Sequence, residues 1–248
     1  MPFPKFKNKH LEEALFNPVD FVKYKKWDPK RFPKKVIILY PGSPFSYFKR
    51  KYRGQYRPVD FYSHHEILKL DNIGIIRLEG IGSPHAATFM EELIAGGARE
   101  FINMGTAGGL YSEGVFLCDK AIRDEGTSHH YLPDGKYSYP DKSLTEKLGK
   151  ALEKAGIQYQ TGTTWTIDAP YRETKAEIAR YKKEGVRTVE MEAAALFAVA
   201  KVRSVKIASM FAVSDVLGEK WDPRFHTMNL KKTLNKMLDV AVECLKGK

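Results

Sequence analysis

"VEMEAAALF" (Val189–Phe197) sets two carboxylates, Glu190 and Glu192, directly before a run of Ala, Leu and Phe. Such a run belongs in a buried helix, here extending to about Val202, and an unpaired carboxylate at its mouth is costly. Two residues apart, the glutamates point to opposite sides if the chain is extended and lie roughly 200° apart if it is helical. They therefore meet different surroundings. One role open to them is interaction with the helix dipole, worth about 0.3–1 kcal/mol each, and one carboxylate would be enough for that. The other is acceptance of hydrogen bonds from adjacent sugar hydroxyls, which suits a carboxylate that only accepts.

Outward from this stretch, strands and helices alternate. Val36–Tyr40 is a short apolar run ending in a Pro-Gly turn, and Ile73–Leu78 is a second strand. Ser83 followed by Pro84 reads as an N-cap and first helical position for a helix His85–Ala95 that stops at Gly96-Gly97. Phe101–Met104 is a third strand entering the loop "GTAGGL". Further strands are expected at Val115–Ile122, Gln158–Thr166 and Lys206–Val213, and helices at Leu144–Lys154, Glu173–Lys183 and Leu230–Leu245. Residues 1–35 read as an N-terminal arm with one short helix near Leu11–Phe16, and residues 45–60 as a loop or broken helix. Residues 36–248 then form one α/β domain around a mostly parallel or mixed sheet. In open sheets of this class the loops leaving the strands hold the ligand.

Composition narrows the partners. The chain has 248 residues and a formal charge of +11. That charge suits a solvated basic surface or an anionic substrate, and no nucleic-acid-binding motif accompanies it. No apolar stretch approaches the roughly 20 residues that span a bilayer, and the first residues lack a secretory signal. Cys118 and Cys244 are far apart and outside metal-ligand spacing, so they read as free thiols in a reducing cytoplasm. No metal site is expected.

Three loops carry chemistry. In "NMGTAGGL", Gly105, Gly108 and Gly109 permit close backbone approach, Thr106 adds a hydroxyl, and freed N–H groups there suit an oxyanion; a plain tight turn is the other reading. In "LYPGSP", Gly42 offers the same approach or an ordinary turn. In "AVSD", Asp215 ends an apolar strand, where desolvation would let it donate a proton; a capping aspartate is the alternative. His129 and His130 of "EGTSHHY" are expected in a surface loop.

Taken in order, "PGSP", "GIGSPHAATFMEEL", "GTAGG", "VEMEAAALF" and "VSD" resemble the nucleoside phosphorylase-I superfamily over Val36 to Asp215. The superfamily holds purine nucleoside phosphorylases, uridine phosphorylases and phosphate-independent nucleosidases. The resemblance implies a single-domain α/β fold with a distorted, barrel-like central mixed sheet flanked by helices. It implies reversible phosphorolysis of a purine ribonucleoside, with uridine phosphorolysis, phosphate-independent hydrolysis and non-catalytic nucleoside binding as alternatives. Inorganic phosphate would be a co-substrate, with no cofactor, and the assembly a homo-oligomer, dimer or hexamer. Gly42 and Thr106 would serve phosphate, Met191 and Glu192 the ribose, and Asp215 would protonate or hydrogen-bond N7 of the departing purine. Ala107, Gly108, Tyr171, Arg172 and Glu190 would lie at the base.

The chain departs from the family pattern at the phosphate. Ser46 and Asn103 stand where that pattern has arginines, and the basic stretch with Arg50, Arg53 and Arg57 is the expected substitute, Arg53 foremost. His10 lies too far upstream to match the histidine a neighbouring subunit supplies in the family. The first loop, Pro41-Gly42-Ser43-Pro44, has no carboxylate to activate water.

Overall fold

Strand β5 (Glu100–Gly109) pairs in parallel with β10 (Lys206–Leu217) along its whole length, and this pair is the axis of the molecule. The computed structural model describes residue 6, residues 8–62 and residues 65–247. From β10 the sheet passes to β6 (Val115–Asp124), antiparallel, then in parallel to β8 (Tyr159–Ile167) and β9 (Thr188–Glu190). β9 returns to β5 in antiparallel register, so these five strands close a barrel. The other edge of β5 carries β1 (Lys35–Leu39), β4 (Ile73–Arg77), β3 (His65–Leu70) and β2 (Arg57–Tyr62) as an open wing. Short strands β7 (Tyr137–Ser138) and β11 (Trp221–Pro223) pair with β6 and β10. The mixed, barrel-like sheet expected from the resemblance is thus present.

β5 runs on through "GTAGG", which the sequence suggested as a loop. A strand is possible there because neighbours press against positions that carry no side chain. A Cβ on Gly108 would lie 2.9 Å from Val189 Cγ1, and one on Gly109 would lie 2.4 Å from the Ser112 carbonyl oxygen. Much of the backbone expected to be free for an oxyanion is therefore engaged in a ladder.

Helices cover both faces. α3 (Ser83–Ala95) and α6 (Ala193–Arg203) pack over Phe101, Phe197 and Phe211. Arg203 joins them with two hydrogen bonds to the Glu91 carboxylate, at 2.8 and 2.9 Å. On the opposite face α2 (Gly42–Lys51), α4 (Lys142–Lys154) and α7 (Met228–Lys246) bury Ile37, Met104, Met210 and Leu238. α5 (Lys175–Lys183) adds Tyr181 against Trp165. Stretch 45–60 is the rest of α2 followed by β2, not a loop.

The arm differs from expectation. Its α-helix, α1 (Pro18–Tyr24), follows Leu11–Phe16, which is non-helical apart from the end of a short 3-10 turn at Lys9–Leu11. Asn17 sets the start: its Oδ1 accepts from the N–H groups of Val19 and Asp20, and Asp20 accepts from the Asn17 N–H. Leu15 and Phe16 are exposed. The end of the arm joins the core, where Trp27 and Phe32 pack on Phe61.

Candidate active site

β1 accompanies β5 only to Met104, opposite Leu39, and β9 joins the same edge of β5 at Gly108. Among the described residues, Gly105, Thr106 and Ala107 have no strand on that edge. Running antiparallel, β9 carries Glu190, Met191 and Glu192 back alongside this gap. Tyr40 and Gly42 leave β1 on its other side. On the far edge of β5, Asp215 pairs with the same Gly108 that pairs with Val189. With neighbouring strands about 4.8 Å apart, Val189 and Asp215 are about 10 Å from each other across Gly108.

Glu190 and Glu192 divide as their spacing suggested. The Glu190 carboxylate accepts from Thr166 Oγ1 at 2.5 Å and from the N–H groups of Glu192 and Ala193 at 2.8 and 2.7 Å. It satisfies the first amides of α6, which otherwise lack partners. Glu190, expected at the base, has both carboxylate oxygens engaged within the fold. Glu192, at the helix N-cap, accepts the Gly82 N–H at 2.6 Å. Burial raises the pKa of both carboxyls, and for Glu190 the charge of Glu192 adds to it.

Gly82 has φ 99° and ψ 154°, a conformation essentially reserved for glycine. It displaces Ser83 from the expected capping role; Ser83 opens α3 and its hydroxyl donates to the Met191 carbonyl at 2.7 Å. The starts of α3 and α6 are thereby locked together. Half-buried Met191 lies beside Gly82, its Cε 4.0 Å from where a Gly82 Cβ would be.

Asp215 follows a bulge at Ser214, accepting from the Ser214 hydroxyl at 2.8 Å and from Trp221 Nε1 at 2.9 Å. Its Oδ2 is 3.5 Å from the position of a Gly108 Cβ. Trp221 is 61% exposed and covers the carboxylate from β11. Ala107 is buried and Thr106 half-buried.

Three expectations are not met within the chain. Tyr171 is 100% exposed and Arg172 is exposed as well. From "DAPYRET" it is Glu173 that turns inward, and burial together with the Asp215 charge pushes its carboxyl up to about 7. Arg53 is exposed beyond the C-terminal end of α2. A ten-residue helix is about 15 Å long, so Arg53 sits at the opposite end of α2 from Gly42. Asn103 is fully buried and donates to Ser209 Oγ at 3.1 Å. His129 is part of an internal network, with Nε2 3.2 Å from the Arg123 carbonyl oxygen.

Tyr40 and Glu173 escaped the motif reading. Tyr40 packs its ring on Gly105, with Cδ2 3.2 Å from the position of a Cβ there. Its hydroxyl is buried without a hydrogen-bond partner, and burial followed by the charges of Glu192 and Glu190 raises its pKa. A tyrosine ending the strand before a Pro-Gly turn was the available signal. For Glu173 the signal was a carboxylate directly before the capping Thr174.

The model of the phosphorylase superfamily matches residues 61–246. Purine nucleoside phosphorylase of Plasmodium vivax is 26% identical over 225 residues, covering 87% of this chain and 86% of its own. Uridine phosphorylase of Thermococcus kodakarensis is 29% identical over 209 residues, covering 75% and 69%. The same fold occurs in purine nucleoside phosphorylase of Toxoplasma gondii in complex with immucillin-H, with a TM-score of 0.77, 19% identity and coverage of 87% and 91%. It also occurs in AMP nucleosidase of Bacteroides thetaiotaomicron, with a TM-score of 0.76, 22% identity and coverage of 94% and 99%.

Proposed function

Because the chain belongs to the phosphorylase superfamily, we propose that it is a nucleoside phosphorylase, a pentosyltransferase acting on purine ribonucleosides. The observation that carries this reading is Gly108, which pairs with Asp215 of β10 on one edge and on the other with Val189, three residues before Glu192. One acid for the leaving base and one for the sugar thus flank a single backbone position.

Breaking the glycosidic bond builds positive charge on the ribose and negative charge on the base. An oxygen of phosphate forms the new bond to the anomeric carbon, the bond to the base breaks, and its electron pair leaves with the base. A proton or hydrogen bond at N7 offsets that charge, and Asp215 is our candidate partner for N7. Glu173 lies near Asp215, and burial together with the Asp215 charge pushes its carboxyl up to about 7. Glu192 accepts from the ribose hydroxyls, Met191 packs on the ring, and Gly42 and Thr106 take the phosphate side. Glu190 keeps the amides of α6 in place and so fixes Glu192. Positioning and charge stabilisation supply most of the acceleration.

Phosphate is a co-substrate, and the reading includes no cofactor, no nucleic-acid or membrane partner, a cytoplasmic location and a homo-oligomer, dimer or hexamer. No group of three or more metal-ligating side chains, and no helix long and apolar enough to cross a membrane, occurs among the described residues. Both cysteines are free and buried. A particle mass that is a multiple of 28.3 kDa would support the oligomer.

The test is release of free base from inosine, adenosine, guanosine and uridine with and without phosphate. Phosphate-dependent release from purine nucleosides is expected, and Asp215→Asn should lower it by about 100-fold or more. Equal release without phosphate would make the protein a nucleosidase, and unaltered turnover in Asp215→Asn would remove the purine assignment.

A further inference from the structure

The gap beside β5 is an acidic place. Glu190 and Glu192 follow β9 along one side, and the positions where the family pattern has arginines hold the neutral Asn103 and, in α2, Ser46. A phosphate dianion entering such a site needs a positive partner. Arg77 is the last residue of β4, the strand beside β1, and its guanidinium lies directly over Gly42. A Cβ on Gly42 would stand 3.7 Å from Arg77 Cζ, 3.8 Å from Nη1 and 3.9 Å from Nε. The guanidinium is thus within van der Waals reach of residue 42. The Arg77 Nε is buried without a hydrogen-bond partner, and the outer edge of the group reaches half-exposed Glu79 at 3.9 Å. A buried donor left unpaired calls for an explanation, and a ligand oxygen beside Gly42 is one. α2 begins at this same residue, with Pro41 at its cap and no side chain accepting from its first amides, so helix and arginine favour an anion at one point.

We infer that Arg77 is the phosphate-binding cation of this enzyme, gripping the anion above Gly42 in place of arginines within the first loop and the β5 turn. This rests on the phosphorolysis reading, to which it adds the residue that selects phosphate over water. The guanidinium supplies two or more donors to the phosphate oxygens and leaves the carboxylates of Glu192 and Asp215 to sugar and base.

Steady-state kinetics against inorganic phosphate, at fixed ionic strength with chloride as the balancing anion, test it. In Arg77→Gln the KM for phosphate should rise about 10- to 100-fold, the cost of losing a charge-assisted contact, while the KM for nucleoside moves less than about twofold. Arg77→Lys keeps the charge without the fork and should fall between. The upward thermal shift that phosphate alone gives the wild type should vanish in Arg77→Gln. A wild type that needs phosphate, with Arg77→Gln and Arg77→Lys unchanged in phosphate KM and thermal shift, overturns the assignment but leaves phosphorolysis standing. Loss of phosphate binding in Arg53→Gln alone would do the same and move the cation to a neighbouring subunit. A wild type whose turnover ignores phosphate overturns both.

Discussion

Glu190 and Glu192 sit two residues apart and face opposite demands. Glu190 accepts from three donors inside the protein, so Glu190→Gln removes a charged acceptor from the first amides of α6. Chemical denaturation should show a loss of about 1–3 kcal/mol. Glu192→Gln should leave that stability nearly unchanged and lower turnover by about 10- to 100-fold, measured with saturating phosphate. The reverse pattern would exchange their roles. Glu173 adds a pH effect. Its folded carboxyl is raised from 4.5 to about 7, so between these values the folded chain holds a proton that the unfolded chain has released. The contribution to stability is complete below about 4.5 and lost as pH rises through about 7. Glu173→Gln should therefore show a shallower decline in denaturation midpoint across that window than the wild type; equal slopes would show that this carboxyl is not the titrating group.

At the level of elements, the site depends on how two helices, α3 and α6, begin. α3 and α6 are tied through the Gly82 N–H and the Glu192 carboxylate, and through Ser83 and the Met191 carbonyl. Gly82→Ala forces a side chain into φ 99°, so a loss of about 1–3 kcal/mol is expected, with a fall in turnover because Glu192 shifts. Thermal melts and kinetics on the same preparation check both. The motifs with local chemistry were legible in the sequence: the buried helix behind "VEMEAAALF", the apolar strand before Asp215, and the alternation that builds the sheet. What escaped depends on strand order. Arg77 meets Gly42 because β4 lies beside β1, and Tyr40 covers Gly105 because β1 lies beside β5. Neither pairing is visible in residue spacing. The glycine run was taken for a loop because glycine weakens a strand on its own, yet here it admits Val189 and Tyr40. The resemblance implies Tyr171 at the base, while the turn at Pro170–Arg172 leaves it fully exposed.

On the scale of the whole molecule, the site draws on residues from Tyr40 to Asp215, and β10 is what closes the ring around β5. No fragment lacking β10 holds both acids. Substrate can consequently recognise only chains whose ring is shut, and it should act as a stabilising ligand for the entire domain. At 100 times its dissociation constant, a nucleoside adds about 2.7 kcal/mol to the folded state. Variants weakened far away, such as Leu238→Ala under α7, should regain melting temperature when nucleoside and phosphate are supplied, followed by scanning calorimetry. Absence of any rescue would mean that binding and closure are uncoupled. Where binding and closure are coupled, cells rich in nucleoside tolerate damaged copies of this protein that fail when the nucleoside pool runs low.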